Sequence, residues 1–317
     1  KILSMTVSVA VNVGMVTKKE MEAVIADTTV MQKNIEFPTD IRLLEKARTK
    51  MVKIANVHKA DLRQNYNIVA KHSLRKIGGY LHAKQMKRAK KEIKHFKVIV
   101  GRVARNCERL VVARPELKQV FEQILSQTTH LLTRRVDDKN KLYSLHEPAV
   151  VCISKGKAHK KYEFGCKVSL SITHKKGTGI ITSAMALAGT PYDGHTLIST
   201  LNASEAITGI KAKKVFVDKG YRGHGVTDCN VFISGQRRGI TAAIKKQMKR
   251  RQAIEPYIGH LKNEGKLGLC RLKGVTGDQI NAILCAASYN LKRVLYYLRA
   301  LCAQILIRIF FAPFLAR

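Results

Sequence analysis

The fold assignment depends on residues 245–262, Lys-Lys-Gln-Met-Lys-Arg-Arg-Gln-Ala-Ile-Glu-Pro-Tyr-Ile-Gly-His-Leu-Lys. In this stretch Arg251, Glu255 and Lys262 follow the spacing i, i+4, i+7, which is one face of a helix. Because proline disrupts a helix interior, Pro256 predicts that the helix begins or kinks close to Glu255. An acid between two bases is either a solvated ion-pair ladder or a metal ligand flanked by phosphate-binding cations.

Two aspartates elsewhere in the chain also stand at the ends of regular elements. Val24-Ile-Ala-Asp27-Thr-Thr-Val30 is rich in β-branched residues and predicts a strand. Because an unpaired buried carboxylate is costly, Asp27 is either hydrogen-bonded by a neighbouring threonine or a metal ligand. Val215-Phe-Val-Asp218 predicts a second, buried strand that ends on an acid, and a glycine-rich basic loop follows it.

The remaining segments complete an α/β pattern. Alternating side chains over 162–174 and 180–188 predict a hairpin. A helix is predicted near 195–208, a short strand at 231–234 and a final helix over 279–300. A hairpin followed by αβ units places the middle strands side by side, so the sequence predicts a mixed sheet with flanking helices.

Two further acids are assigned local roles. Asp193 stands between a tyrosine and a glycine, where an aspartate is most simply a turn residue. It is also the first substitute acid for the site if Glu255 lies far from Asp218. Asp278 follows Thr276-Gly277 and is predicted to cap the final helix.

Residues 37–135 change to a helical pattern that interrupts the α/β order. Thr39 or Asp40 can cap a first helix that extends to at least residue 54. The sequence further predicts helices over 61–96, over 98–113 and from Pro115 to about 133.

This insertion is strongly basic. Residues 41–140 contain 25 Lys+Arg against 8 Asp+Glu, and 84–97 is the densest part. A charge run is usually a solvated face, but one of a single sign is typical of a surface that follows a phosphate backbone. The candidate contacts in it are Lys87, Arg88, Lys90 and Lys91.

Composition restricts the partners of the chain. Its 317 residues include Lys+Arg 58 and Asp+Glu 22, a formal net charge of +36. This excess opposes compaction unless an anion binds, and the usual partners are nucleic acid or acidic membrane. A hydrophobic content of 45% argues against a disordered basic tail.

The cysteines and the two ends of the chain narrow the class further. The seven cysteines are scattered without zinc-type spacing, which indicates reduced thiols in a cytosolic protein. No signal peptide is recognised at the start, and the chain is expected to be cut from a longer one. Near the other end, the uncharged run 300–307 is far shorter than the roughly 20 residues of a membrane span.

Three acids that gather in a protein of this charge suggest metal chemistry. Asp27, Asp218 and Glu255 would repel one another unless divalent cations bridged them. Mg²⁺ prefers oxygen ligands and keeps part of its water shell. Two such ions clamp the attacking and leaving oxygens of a phosphodiester displacement.

The motifs as a set resemble the DDE transposases of bacterial insertion sequences. The likeness covers about residues 20–300 and is carried by Asp-Thr-Thr-Val, Tyr-Glu-Phe-Gly-Cys-Lys-Val, Pro-Tyr-Asp-Gly-His-Thr-Leu, Val-Asp-Lys-Gly-Tyr-Arg-Gly and the 245–262 stretch. The most similar branch has the C-terminal signature Tyr-x2-Arg-x3-Glu-x6-Lys. Arg251, Glu255 and Lys262 match this signature, whereas Met248 stands at the position of its tyrosine.

The resemblance implies an RNase H-like fold with a large basic helical insertion after the first strand. The expected divisions are an N-terminal remnant with the first strand (1–36), the insertion (37–141), the rest of the catalytic domain (142–300) and a tail (301–317). By the same likeness, Asp27, Asp218 and Glu255 hold two Mg²⁺ ions, with Mn²⁺ as a substitute.

The resemblance also implies cleavage of insertion-sequence ends and strand transfer into target DNA. Besides the four insertion cations, the DNA-binding residues are then Arg251, Lys262, Lys219 and Arg222. The partners are double-stranded DNA and further copies of the chain, without a membrane, and the expected location is the bacterial cytoplasm at the nucleoid. Two alternatives stay open: a metal-dependent nuclease without strand transfer, and a non-catalytic DNA-binding remnant of a transposase.

Overall fold

The computed structural model describes residues 1–135, 137–154 and 161–315, with side chains described up to residue 307. The chain divides into two compact units. Unit 1 contains Lys1–Asn34 and Cys152–Arg317, and unit 2 contains Ile35–Val151. Unit 2 contains the insertion that is predicted from the sequence at 37–141.

Unit 1 is a mixed α/β structure built on one sheet of seven strands within the described residues. In chain order its elements are α1 Ile2–Asn12, β1 Ala23–Lys33, β2 Val151–Ser154, β3 Tyr162–Thr173, β4 Ile181–Leu187, α6 Asp193–Thr208, β5 Lys214–Val217, β6 Asn230–Ile233, α7 Ala242–Lys249, α8 Ile254–Asn263, β7 Leu269–Cys270 and α9 Gly274–Leu315. Helices α2 to α5 belong to unit 2.

Strand β1 occupies the centre of this sheet. The strand order is β2-β3-β1-β5-β6, while β4 pairs with β3 and the short β7 pairs with the end of β1. β3 is antiparallel to β1 and to β4, whereas β1, β5 and β6 are parallel. The carboxyl end of β5 therefore lies beside the middle of β1, which continues to Lys33.

Alternation of side chains along β1 and β5 gives the sheet two buried faces. One face packs with Leu197 of α6, and its strand residues are Val24, Ala26, Val215 and Val217. The other face, which includes Ile25 and Phe216, packs with Ile254 and Leu261 of α8. This alternation decides which face each acid reaches.

Unit 2 is a cluster of four helices with its own core. They are α2 Asp40–Val57, α3 Asn67–His82, α4 Met86–Ala113 and α5 Lys118–Thr133. Thr39 caps α2, because its hydroxyl accepts the Arg42 amide. The largest fully buried side chains of the core include Phe96 and Phe121.

The predicted helix break at residues 96–98 is wrong. α4 passes through it because its buried residues Phe96, Val100, Val103 and Cys107 keep a helical period. The break lies instead between α3 and α4, where Lys84 has a left-handed φ of 55°.

Two predictions about α9 also need correction. Asp278 does not cap this helix but is buried and accepts a 2.6 Å hydrogen bond from Lys33 Nζ at the end of β1. The final helix, predicted to end at 300, continues to Leu315. Within the part of the chain that the structure describes, no helix is long and apolar enough to cross a membrane.

Candidate functional site

The register between β1 and β5 places two of the predicted acids side by side. The strands are parallel, and Ile25 pairs with Phe216. Two residues further along each strand come Asp27 and Asp218, which therefore lie next to each other on the face covered by α8. Adjacent strands are about 4.8 Å apart. The two carboxylates are consequently neighbours at the carboxyl end of β5. Because β1 continues to Lys33, the prediction that Asp27 stands at the end of its strand is wrong.

A tight turn after β5 fixes the Asp218 carboxylate. Its Oδ1 accepts the Gly220 amide at 2.8 Å and caps the 3-10 turn Lys219–Tyr221. A Cβ added to Gly220 would lie 3.1 Å from Asp218 Oδ1 and 3.3 Å from Asp193 Oδ2. The space beside Gly220 is thus bordered by two carboxylates, and a side chain there would press on both.

Asp193 is therefore part of the acid cluster, and its prediction as a simple turn residue is wrong. It is the first residue of α6, where the helix dipole favours a negative charge. Its Oδ1 accepts the Thr28 hydroxyl at 2.7 Å and the Lys167 ammonium at 2.9 Å. Thr28 faces α6 because it follows Asp27 on the alternating strand.

The segment that carries Glu255 is not one continuous helix. α7 ends at Lys249, a 3-10 turn covers Arg250–Ala253, and α8 starts at Ile254. The prediction of a start or kink near Glu255 is confirmed. Pro256 lies in the first turn of α8, where its missing N–H costs no helical hydrogen bond.

Arg251 connects Glu255 to the aspartates. Its Nη1 donates to Asp27 Oδ2 at 3.4 Å, and its Nη2 donates to Glu255 Oε1 at 3.3 Å. The Arg251 side chain is 15% exposed, whereas the Glu255 side chain is 63% exposed. The Arg251 guanidinium therefore lies between the carboxylates of Glu255 and Asp27.

The strongest electrostatic effect in the cluster is the burial of the Asp27 carboxylate. Burial raises the pKa of Asp27 from 3.8 to about 6, and the neighbouring Asp218 and Asp193 carboxylates add to the rise. The Thr28 amide, at 2.7 Å from Asp27 Oδ1, and the Arg251 guanidinium oppose it. Burial also raises the pKa of Tyr221, and the carboxylates of Asp27, Asp193 and Asp218 add to this rise.

The acids of the cluster supply the ligand type that a hard divalent cation prefers, but they do not lie close enough together to coordinate one. The donors of Asp27, Asp193, Asp218 and Glu255 are all carboxylate oxygens, which Mg²⁺ and Mn²⁺ accept. In the described residues, no group of three or more His, Cys, Asp or Glu side chains stands close enough to hold a metal ion. The Arg251 guanidinium lies between Asp27 and Glu255, so an ion that bridges these two would have to displace it.

The candidate DNA contacts lie in both units, and most of them are exposed cations. In unit 1, Lys219 and Arg222 follow Asp218 and are exposed, and Lys262 is half-buried on α8 beyond Glu255. In unit 2, the exposed cations on the first turns of α4 are Lys87, Arg88, Lys90 and Lys91. Met248, at the position of the signature tyrosine, packs on the core beneath α8.

Comparison with known proteins gives one short similarity. No protein-family model matches the chain, and no solved structure gives a significant match. A segment of 85 residues is 38% identical to the uncharacterized protein ORF8 in the nfe locus of Rhizobium meliloti. The match covers 27% of this chain and 41% of that protein, so the chain spans about two fifths of its relative.

Thr28 and Lys167 were not predicted as contributors to the acid cluster, and Asp193 was considered only as a substitute for Glu255. Thr28 was weighed only as a hydrogen-bond donor to its neighbour, whereas its hydroxyl donates to an acid 165 residues away. One available signal was Lys167, a lysine between Cys166 and Val168 in the predicted strand. A cation in a central strand requires a nearby anion, and Asp193 is that anion.

Proposed function

We propose that this protein is a DDE-type transposase of the bacterial insertion-sequence class, which cleaves DNA ends and transfers them to target DNA. The observation that carries the proposal is the register that sets Asp27 beside Asp218, with Glu255 one guanidinium group away. These are the acids that the family resemblance selects from the sequence alone.

The finer fold assignment is RNase H-like. A central first strand between an antiparallel hairpin and two parallel strands is the order of such a sheet, and this chain has that order. The helical unit 2 follows directly after the first strand, where the resemblance expects an insertion. These two features support the assignment in the absence of a matching solved structure.

Each residue of the cluster receives a role in this proposal. Asp27, Asp218 and Glu255 hold two divalent cations, Mg²⁺ or Mn²⁺. The bound ions supply Lewis acidity, which lowers the pKa of a nucleophilic water or hydroxyl and stabilises charge at phosphorus. The Gly220 amide holds Asp218 in its orientation, and Lys167 neutralises Asp193 so that this acid does not add to the repulsion.

The cations of the chain bind the DNA backbone in this proposal. Lys262, Lys219 and Arg222 contact phosphates near the cluster, and Arg251 would join them if the carboxylates held metal ions. The basic turns of α4 supply further contacts to double-stranded DNA. The active form is a homodimer or higher oligomer on DNA, at the nucleoid in the bacterial cytoplasm.

A second candidate function is a non-catalytic DNA-binding remnant, and the position of Arg251 favours it. A guanidinium that permanently pairs with Asp27 and Glu255 would satisfy both carboxylates without a metal ion. The cluster would then be an ion-pair network of modest value.

Incubation with end-labelled duplexes distinguishes the candidates. The duplexes carry the genomic DNA that flanks the coding region, and a supercoiled plasmid serves as target. A transposase gives Mg²⁺-dependent cuts and joined products, whereas a nuclease cuts without joining. Binding without either product, at any Mg²⁺ or Mn²⁺ concentration, would contradict the proposed catalysis and support the remnant.

A further inference from the structure

Unit 2 contains an open cavity that the proposed catalysis does not use. Its volume is about 340 Å³, which is within the range of small-ligand sites. Six residues line it: Arg63, Gln64, Tyr66, Arg102, Asn106 and Arg109. None of them is acidic, and three are arginines.

Helix α4 supplies one wall of this cavity. Arg102, Asn106 and Arg109 follow the spacing i, i+4, i+7 and share one helical face. Both arginines are exposed, and neither forms an ion pair with an acid in the described chain. Two guanidinium groups without a carboxylate partner on one wall favour an anionic ligand with planar or tetrahedral oxygens.

Asn106 offers polar contacts to the cavity. Its residue surface is only 8% exposed, and its side chain makes no hydrogen bond to any described residue. Its amide atoms still reach solvent, because neither of them is fully buried without a partner. A ligand in the cavity therefore meets a free donor and a free acceptor on Asn106.

The opposite wall is the connection between α2 and α3, and it is held rigidly. Buried Arg48 donates from Nη1 to the Asn65 carbonyl at 2.7 Å and to Asn67 Oδ1 at 2.8 Å. Tyr66 lies between these two anchors in a left-handed conformation with φ of 56°. That conformation is unfavourable for a residue with a Cβ, so the anchors hold an aromatic ring at the cavity against a local preference.

We propose that this cavity binds one nucleotide unit, with its phosphate on the arginines, its base against Tyr66 and its polar edge on Asn106 and Gln64. Aromatic stacking and arginine contacts are the two means by which proteins hold unpaired nucleotides. The same chemistry is offered by a nucleotide in an unpaired DNA strand and by a free nucleotide. The inference is independent of the proposed catalysis, because every residue in it belongs to unit 2.

Fluorescence anisotropy with a labelled single-stranded oligodeoxynucleotide tests the proposal on the full chain. Arg102→Gln and Arg109→Gln should each weaken binding about tenfold, the loss expected for one charge-assisted contact. Arg105→Gln removes the same charge from an exposed position of α4 outside the cavity, and it should leave the affinity within about twofold. Equal losses for all three variants would overturn the site in favour of general attraction.

Two substitutions that leave the net charge unchanged test the proposed contacts with the nucleotide base. Asn106→Leu removes the amide, and Tyr66→Asn removes the ring while tolerating the left-handed backbone. Both should weaken binding, whereas Tyr66→Phe should keep it, and thermal melting identifies any variant that has unfolded. Unchanged affinity in folded Asn106→Leu and Tyr66→Asn proteins would refute the base contact.

Competition separates the sources of the nucleotide. Displacement of the probe by dTMP shows that a free nucleotide suffices, while displacement only by unlabelled oligonucleotide assigns the cavity to DNA. Either result supports nucleotide binding. If inorganic phosphate competes as well as dTMP, the base contributes nothing, and the proposal fails.

Discussion

At the scale of single residues, Asp27 is a carboxylate whose ionisation opposes folding. Its pKa is raised from 3.8 to about 6 by burial and by Asp218 and Asp193. A raised pKa means that the native state holds its proton more tightly than the unfolded chain does. The resulting stability is complete below about pH 4 and is lost as the pH rises through 6.

Asp27→Asn should therefore stabilise the protein at pH 8 in the absence of divalent cations. The shift from 3.8 to about 6 corresponds to about 3 kcal/mol. Urea unfolding at pH 5 and pH 8 should show a smaller loss of stability in the variant than in the wild type. Asp61→Asn, the same substitution at an exposed acid, is the matched control. A steeper loss in Asp27→Asn would contradict the raised pKa of Asp27.

A divalent cation bound beside Asp27 should offset the cost of burying this carboxylate next to Asp218 and Asp193. Mg²⁺ or Mn²⁺ should raise the melting temperature by several degrees at pH 8 and much less at pH 5, where Asp27 binds a proton instead. The rise should disappear in Asp218→Asn, and differential scanning calorimetry measures it. An equal rise at both pH values would indicate cation binding elsewhere.

At the scale of the elements, the turn after β5 sets the spacing between two acids. Gly220→Ala places a Cβ 3.1 Å from Asp218 Oδ1 and 3.3 Å from Asp193 Oδ2, so one carboxylate must move. We expect cleavage to fall at least about tenfold while the protein stays folded. Gly259→Ala on α8 has nothing within 4 Å of the added Cβ and should keep full activity. Full activity in Gly220→Ala would show that this spacing does not matter.

The basic turns of α4 should act on DNA without regard to sequence. A variant that neutralises Lys87, Arg88, Lys90 and Lys91 should bind all duplexes more weakly and with a flatter dependence on salt. The matched control neutralises four exposed cations of α2 and α3, namely Lys50, Lys53, Lys71 and Lys76. A variant whose binding has the same salt dependence as the wild type would show that the α4 cations form an ordinary solvated helix face without a role in DNA binding.

Sequence reasoning reached the strands and their acids but not the contacts between distant elements. Asp27 and Asp218 could be predicted because an acid inside a β-branched run, or at its end, is a local pattern. Asp278 looked like a cap in its local context, although its partner Lys33 lies 245 residues away. Asp193 likewise looked like a turn, because proline, tyrosine and glycine surround it.

At the scale of the whole molecule, the residues of the proposed function are distributed over two compact units. Unit 1 brings the acids together through the register of β1 and β5, and unit 2 carries the basic helices and the nucleotide cavity. The formal net charge of +36 favours association with nucleic acid. In the proposed function, the small acidic cluster of this strongly basic chain holds divalent cations beside DNA phosphates, and Glu255 completes the cluster as a catalytic group.

The cleavage rate of Glu255→Gln on flanking-DNA duplexes in Mg²⁺ tests this claim most directly. Glutamine keeps the shape of glutamate but lacks the charge that a divalent cation requires. Glu264→Gln is the matched control, because Glu264 is an exposed acid at the end of the same helix. Glu255→Gln should lose at least about a hundredfold in cleavage rate while it binds DNA as the wild type does, and Glu264→Gln should cleave at the wild-type rate. Cleavage by Glu255→Gln at the wild-type rate would contradict a catalytic role for Glu255.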